Sequence, residues 1–486
     1  MAAKRLSQEL DMARITEEAE SLPFSPKHEN DCFRQKFHDI PRYLFRVFTP
    51  ISGSATDAAW AQSLDSRQGG TSSRVDLFDR GDNRLVADML NKHLRWQDAN
   101  AGGDGEDSNV VSWTSSLLYA LVHVYQLHAS TRDGSALEDI KLCIVDTTEC
   151  PDRSFVRDID LIRSFSLFDI GLRDLKNLRL GKSQSKSSGC YYFGEYLSQG
   201  ALKIEGRCQI VSAMDIINAG LYKMLPELEE FENWNRDEKP PCARMVVRLR
   251  KSLGSRVVPA AWREVDGEIN AALRIAQLFE PRWRLPMAAS LIALVPNLCS
   301  DAEILRAFRR ELFTDAERRL CSRERTVIMA YDTLPEVQKF SDIMRSVYKD
   351  FCLSKSKEYV DRAEGLVRSA LLWGGSTASP SASDHDMTLL DPIHDDIVDR
   401  LDDIIRWSSS LRQEMLKSRM VLVDTESSDK QSFDDSLEFE VGDTTLSSSP
   451  RTDMEHSEII DCEAFPFRSL GNREKSVIGG LYIDPI

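Results

Sequence analysis

The sequence predicts an α+β domain, followed by an all-α helical domain and a disordered acidic tail. Three changes along the chain predict this order. Up to about residue 235, short apolar runs alternate with helical patterns and turn signals. From DEKPPCARM at 237 the strand signal stops, and capped helical stretches broken by proline take over. From residue 374 the composition turns to Ser, Asp and Glu.

Residues 1–40 read as a helical or loose leader. In the α+β domain, 41–235, the runs YLFRVF at 43–48, NVVSWT at 109–114, KLCIVD at 141–146 and CQIV at 208–211 have strand character. Helical patterns lie between them in RLVADMLNKHLRW, LLYALVHVYQLH and DLIRSFSLF. The helical domain, 236–373, contains VDGEINAALRIAQLF, SDAEILRAFRRELF, TLPEVQKFSDIMRSVYKDF and SKEYVDRAEGLVRSALLW. The last part, 374–486, opens with the linker GGSTASPSASD. It continues into one amphipathic stretch, DPIHDDIVDRLDDIIRWSSSLRQEMLK, and residues 421–473 have the composition of disorder.

The 486 residues carry a net charge of −16, and the acidity is local. Residues 374–486 hold 24 acids against 10 bases, a net of −14, which leaves the rest of the chain almost neutral. Such a balance argues against a broad nucleic-acid footprint. No window approaches 18 uninterrupted apolar residues, and MAAKRLSQELDMARITEEAE lacks the apolar region of a signal peptide, so the expected setting is intracellular, cytoplasmic or nuclear, without a membrane. The ten cysteines include no CxxC pair and no zinc spacing, which points to reduced thiols and no metal.

Several familiar motifs fail on their own geometry. GKS at 181–183 has Lys176 where a phosphate loop needs glycine, and the glycines of NAGGDGED precede a strand instead of following one. His123 and His128 stand five apart on a helix, roughly 140° around its axis, so they cannot share a metal. Neither GxSxG nor HExxH occurs.

One constellation survives. Arg46 interrupts the apolar strand YLFRVF; Ser112, Thr114 and Ser115 crown a second strand; Glu195 follows the aromatic run Tyr191, Tyr192, Phe193 and precedes a glycine turn. A purely structural account pairs Arg46 with a nearby carboxylate and uses the hydroxyls from Ser112 to Ser116 to cap the helix that follows.

Taken in this order, LFRVFT, VSWTSS and GEYLSQGALKI resemble the Arg-Ser-Glu class of ADP-ribosyltransferase-like domains, the class of the heat-labile enterotoxin and cholera toxin catalytic chains. The resemblance covers about residues 41–215. A closer likeness, in YLFRV and SWTSSL, is to an uncharacterised domain family of multidomain fungal proteins, and that likeness implies no activity of its own. The toxin-class resemblance implies a split β core with helices, NAD as substrate and no metal. It implies that Glu195 stabilises the oxocarbenium-like state, that Arg46 binds phosphate or structures the site, and that Ser112 fixes strand and ribose geometry with Thr114 and Ser115 behind it. Tyr191, Tyr192 or Phe193 would stack on nicotinamide. Trp113 interrupts the Ser-Thr-Ser pattern, which leaves Ser112 or Thr114 as the functional hydroxyl. Arginine-modifying members carry Glu or Gln where Phe193 stands, which counts against an arginine acceptor.

The competing reading is an interaction protein. A catalytically inactive domain of the same fold would bind a partner, the helices would scaffold, and serines ahead of acids at 427–429 and 432–435 would carry phosphate.

Overall fold

The computed structural model describes residues 21–26, 36–37, 39–96, 108–180, 191–234, 242–254, 262–295, 301–309, 313–320, 334–376, 398–410, 412–413 and 416. Most of the leader, the GKS segment, the 374–384 linker after its first residues and the acidic tail lie outside the described residues. Residues up to Gly375 form one compact unit, and those from Ser376 a second.

The first unit mixes helices with antiparallel sheet. β1 (Tyr43–Phe48), β4 (Val110–Thr114), β5 (Lys141–Asp146), β6 (Val156–Arg157), β7 (Glu195–Gln199) and β9 (Cys208–Ser212) form a six-stranded sheet in the order β6-β7-β4-β1-β5-β9. β2 (Ala55–Thr56), β3 (Trp60–Gln62) and β8 (Ala201–Lys203) form a smaller one. β1 runs fully paired with β5 but meets β4 at a single register pair, Phe45 opposite Thr114. Side chains alternate between faces along each strand, so Phe45, Ser112, Thr114, Glu195 and Leu197 share one face. Leu44, Arg46, Trp113 and Tyr196 take the other.

That second face packs on the small sheet through a core of Leu44, Val111, Trp113, Cys143, Val145, Ala61 and Leu202. Helices cover the first face. α1 (Asn83–Leu94), α3 (Asp158–Phe165) and α4 (Ile170–Arg179) enclose Val110, Val156 and Leu197 at the β6-β7-β4 side. The apolar helix α2 (Leu117–Ala129) lies on Phe45, Leu142 and Ile144. Its buried residues surround the whole circumference, which is why the segment reads as uniformly apolar.

Among the described residues of the first unit, the longer helices after residue 240 are α5 (Cys242–Gly254), α6 (Trp262–Ala276), α7 (Pro281–Ile292), α8 (Asp301–Arg309) and α9 (Pro335–Ser376), with a short helix at Asp315–Leu320 between the last two. The change in composition at 237 does not mark a second core. Val246, Leu273, Trp283, Leu291, Phe308 and Met344 belong to the same apolar cluster as α2 and β1. Tyr43 of β1 packs edge-on against Trp283 and Phe340, with ring centroids 6.3 Å apart in each case. The physical reason is α2: a helix apolar all round needs cover on both sides, and the sheet supplies one. The two stretches expected around residues 332–373 form one continuous helix, α9. In the second unit the expected amphipathic helix spans 398–410 and exposes Leu401, Ile404, Ile405 and Trp407. Among the described residues, no helix is long and apolar enough to cross a membrane.

Candidate active site

Ser112 is where the three expected residues meet. Its carbonyl accepts from Arg46 Nη1 at 2.8 Å, and its hydroxyl donates to Glu195 Oε1 at 2.9 Å. Arg46 and Glu195 point to opposite faces of the sheet, and the residue between them contacts both. The sparse pairing of β1 with β4 opens the gap that the guanidinium fills.

Arg46 is buried and donates Nε to Thr56 Oγ1 at 2.8 Å, with Nη2 on Ser54 Oγ. Its guanidinium lies 6.0 Å from the Trp113 ring. The expected local carboxylate is absent: among the described residues no acid lies within ion-pair distance, and neutral oxygens take its place. Burial lowers its pKa to about 10, only partly countered by the Cys143 thiolate form.

Glu195 opens β7 directly after Gly194 (φ +65°), a left-handed position that favours glycine. A Cβ there would meet Ser115 Oγ at 2.3 Å and Leu334 at 2.8 Å, so the approach is also too close for a side chain. Glu195 is 2% exposed, and its second oxygen, Oε2, accepts from Arg179 Nη2 at 2.7 Å. Arg179 ends α4, and its Nε stands 3.5 Å from Asp158 Oδ2 at the start of α3. Two buried carboxylates therefore share one guanidinium. Burial alone would lower Arg179, but Asp158 and Glu195 more than offset this and raise it. Burial raises Asp158 to about 7, with Arg179 pulling down and Glu195 pushing up.

Behind Ser112 stands His93, near the end of α1. Its Nε2 is 2.8 Å from Ser112 Oγ and its Nδ1 2.8 Å from Ser108 Oγ. Burial lowers its pKa to about 4, and the Arg46 charge adds to the effect.

The remaining hydroxyls are occupied with structure. Thr114 Oγ1 donates to the Phe193 carbonyl at 2.7 Å and accepts from Ser116 N at 3.0 Å. Ser115 donates its backbone N–H to the Gly194 carbonyl at 2.8 Å, and its hydroxyl reaches the same oxygen at 3.4 Å. Ser116 caps α2 by accepting from Tyr119 N at 3.1 Å and donates to Glu336 Oε1 at 2.6 Å. Of the two hydroxyls the sequence left open, Ser112 contacts the glutamate and Thr114 braces the turn before it.

Two rings of the aromatic run, Tyr192 and Phe193, are buried, and Tyr191 is half-buried. Phe193 stacks on Tyr119 at 4.9 Å, with the Arg179 and Arg250 guanidinium groups 5.4 and 5.9 Å from its centroid. Tyr192 lies in the core beneath α1, α3 and α4, and Tyr191 packs against the α2 cluster. Phe193 and Tyr192 are thus claimed by the helical layer, which leaves Tyr191 as the partly exposed ring of the three. Arg250 also joins Glu336, at 2.8 Å, to the Tyr192 carbonyl, at 2.8 Å, so α5 and the start of α9 hold this turn from outside. Among the described residues no cluster of His, Cys, Asp and Glu could hold a metal ion.

Sequence reading missed Arg179, Asp158 and His93. Each left a signal. Leu172, Leu175 and Arg179 share one face of α4; Asp158, Leu161, Ile162 and Phe165 share one of α3; Val86, Leu90 and His93 share one of α1. A polar residue in an apolar helical register is buried and needs a partner. Compared with known proteins, the chain matches no family model, no curated protein and no solved structure.

Proposed function

We propose that the first unit contains an ADP-ribosyltransferase-like domain that binds NAD and cleaves its nicotinamide–ribose bond, transferring ADP-ribose to water or to an acceptor other than arginine. The observation that carries this reading is Ser112, joined to Arg46 through its carbonyl and to Glu195 through its hydroxyl. Arg46 supports it further. A buried guanidinium held only by neutral oxygens retains uncompensated charge, and a dinucleotide phosphate would supply the missing anion.

In this mechanism the C1′–N bond breaks and its electron pair leaves with nicotinamide. The ionised Glu195 carboxylate stabilises the positive charge left on the ribose. Water or an acceptor then adds at C1′ and gives up its proton to solvent. Ser112 holds one oxygen of Glu195 in place. The other, on Arg179, exchanges that partner for a ribose hydroxyl when substrate enters.

A specific observation also favours the interaction-protein reading. Glu195 is almost wholly buried and both of its oxygens are bonded within the chain, as in a domain that has given up turnover. Calorimetry with NAD on the full chain, paired with nicotinamide release, separates the two. Under the enzyme reading Glu195→Gln retains NAD binding and lowers turnover a hundredfold or more, since one preorganised electrostatic contact is worth on the order of 3 kcal/mol. A folded chain with no NAD binding supports the interaction protein instead.

A further inference from the structure

We propose that His93 is a positioning residue for Glu195, acting through Ser112: it fixes the direction of the serine hydroxyl and thereby the orientation of the carboxylate. The inference rests on the reading of Glu195 as the charge-stabilising group.

The direction of every hydrogen bond follows from chemistry. An ionised carboxylate only accepts, so Ser112 Oγ–H donates to Glu195 Oε1. That uses the only hydroxyl proton. The contact at 2.8 Å between Ser112 Oγ and His93 Nε2 then requires Nε2 to carry the proton and donate. His93 Nδ1 is left bare, and it accepts from Ser108 Oγ–H at 2.8 Å. Ser108, His93, Ser112 and Glu195 form one chain of donors that all point toward the carboxylate, and the imidazole is held in a single tautomer. Its low pKa keeps it neutral near pH 7, as this arrangement needs.

A serine alone could not do this. Its hydroxyl rotor has three staggered settings, and only one places the proton on Glu195. A donor on the lone-pair side excludes the others. This matters most during turnover: when Oε2 leaves Arg179 for a ribose hydroxyl, Oε1 is the remaining tether to the sheet. The imidazole is itself fixed, because Val86, Leu90 and Leu94 anchor α1 in the core on either side of it. A leucine would fill this helical register equally well by hydrophobicity, so packing does not account for the histidine.

The test uses full-length protein, wild type and the variants His93→Leu, His93→Gln and Ser108→Ala. Nicotinamide release from NAD should lose tenfold to a hundredfold in kcat in His93→Leu while KM stays within about threefold, as expected for a small misplacement of a reacting group. His93→Gln, whose amide N–H reaches the Nε2 position, should recover most of the loss. NMR of 15N-labelled histidine should find His93 protonated on Nε2. Unchanged kcat in His93→Leu, equal losses in the Gln and Leu variants, or a proton on Nδ1 would overturn the proposal.

A second readout is independent of NAD. The 13C chemical shift of the labelled Glu195 carboxyl should move in His93→Leu and return in His93→Gln, because the Ser112 donor loses its orientation. If wild type releases no nicotinamide but this shift is present, the NAD reading fails and the positioning role stands. If the shift is absent, the positioning role fails whatever the activity. Should His93→Leu not fold, Ser108→Ala removes the bond that steadies the ring at Nδ1, and a partial Glu195 shift with the Nε2–H tautomer retained is the expected result; no shift, or a proton on Nδ1, overturns it.

Discussion

Arg46 and Arg179 are buried on opposite faces of the same sheet, yet their surroundings solve the same problem in opposite ways. Arg179 is compensated twice over, by Asp158 and Glu195, and its pKa rises. Arg46 is held by two hydroxyls and a carbonyl, with no acid, and its pKa falls to about 10. A charge neutralised within the chain belongs to the fold. One left without a counter-ion invites an anion from outside.

The largest expected effect is therefore at Arg179. Arg179→Met strands two buried carboxylates and should cost about 3–5 kcal/mol in urea unfolding. A loss below about 1 kcal/mol would show that water or relaxation compensates them and would break the comparison. Arg46→Lys should cost less, in the range of about 1–3 kcal/mol for imperfectly satisfied buried groups. Calorimetry should show it lowering NAD affinity at least tenfold, because an ammonium cannot reproduce the guanidinium fork. A larger stability loss than at Arg179, with NAD affinity unchanged, would make Arg46 the structural arginine of the two.

The smallest effect is a change in pH dependence. Asp158 binds a proton up to about pH 7 in the folded chain against 3.8 ordinarily. Its contribution to stability is full below about pH 4 and is lost as pH rises through 7. His93 works in the reverse sense. The unfolded chain takes up that proton near pH 6.5 and the folded one only near 4, so stability falls as pH drops through this window. His123, also lowered to about 4, adds to the fall. Asp158→Asn should remove the loss between pH 4 and 7, and stability should then rise more steeply over that range. An unchanged slope in unfolding midpoints between pH 4 and 7 would show that Asp158 does not hold the proton.

The contrast also marks what the sequence discloses. β1, β4, β5 and β9 are legible because half-buried strands alternate and fully buried ones run apolar. Arg46, Ser112 and Glu195 are legible because each is a polar residue in a strand context that cannot be solvent-facing along its length. Arg179, Asp158 and His93 sit on three separate helices, and only the packing of α1, α3 and α4 against one another brings them to Glu195. Periodicity tells which face each occupies and nothing about the neighbour across it. The helical half departs from the expectation of a separate domain for a related reason. Its composition differs from that of the sheet, but composition does not record that both cover the same helix, α2.

The bond from Ser116 to Glu336 gives this shared cover a timescale. Its partners lie 220 residues apart, so this tie between the N-terminus of α2 and α9 waits for the start of α9. At roughly 5–20 residues per second, synthesis takes about 10–40 seconds to cross that interval. Through this time the sheet segment has left the ribosome before α5 and α9 can cover α2, and apolar residues of α2 are open to any chaperone or neighbouring nascent chain.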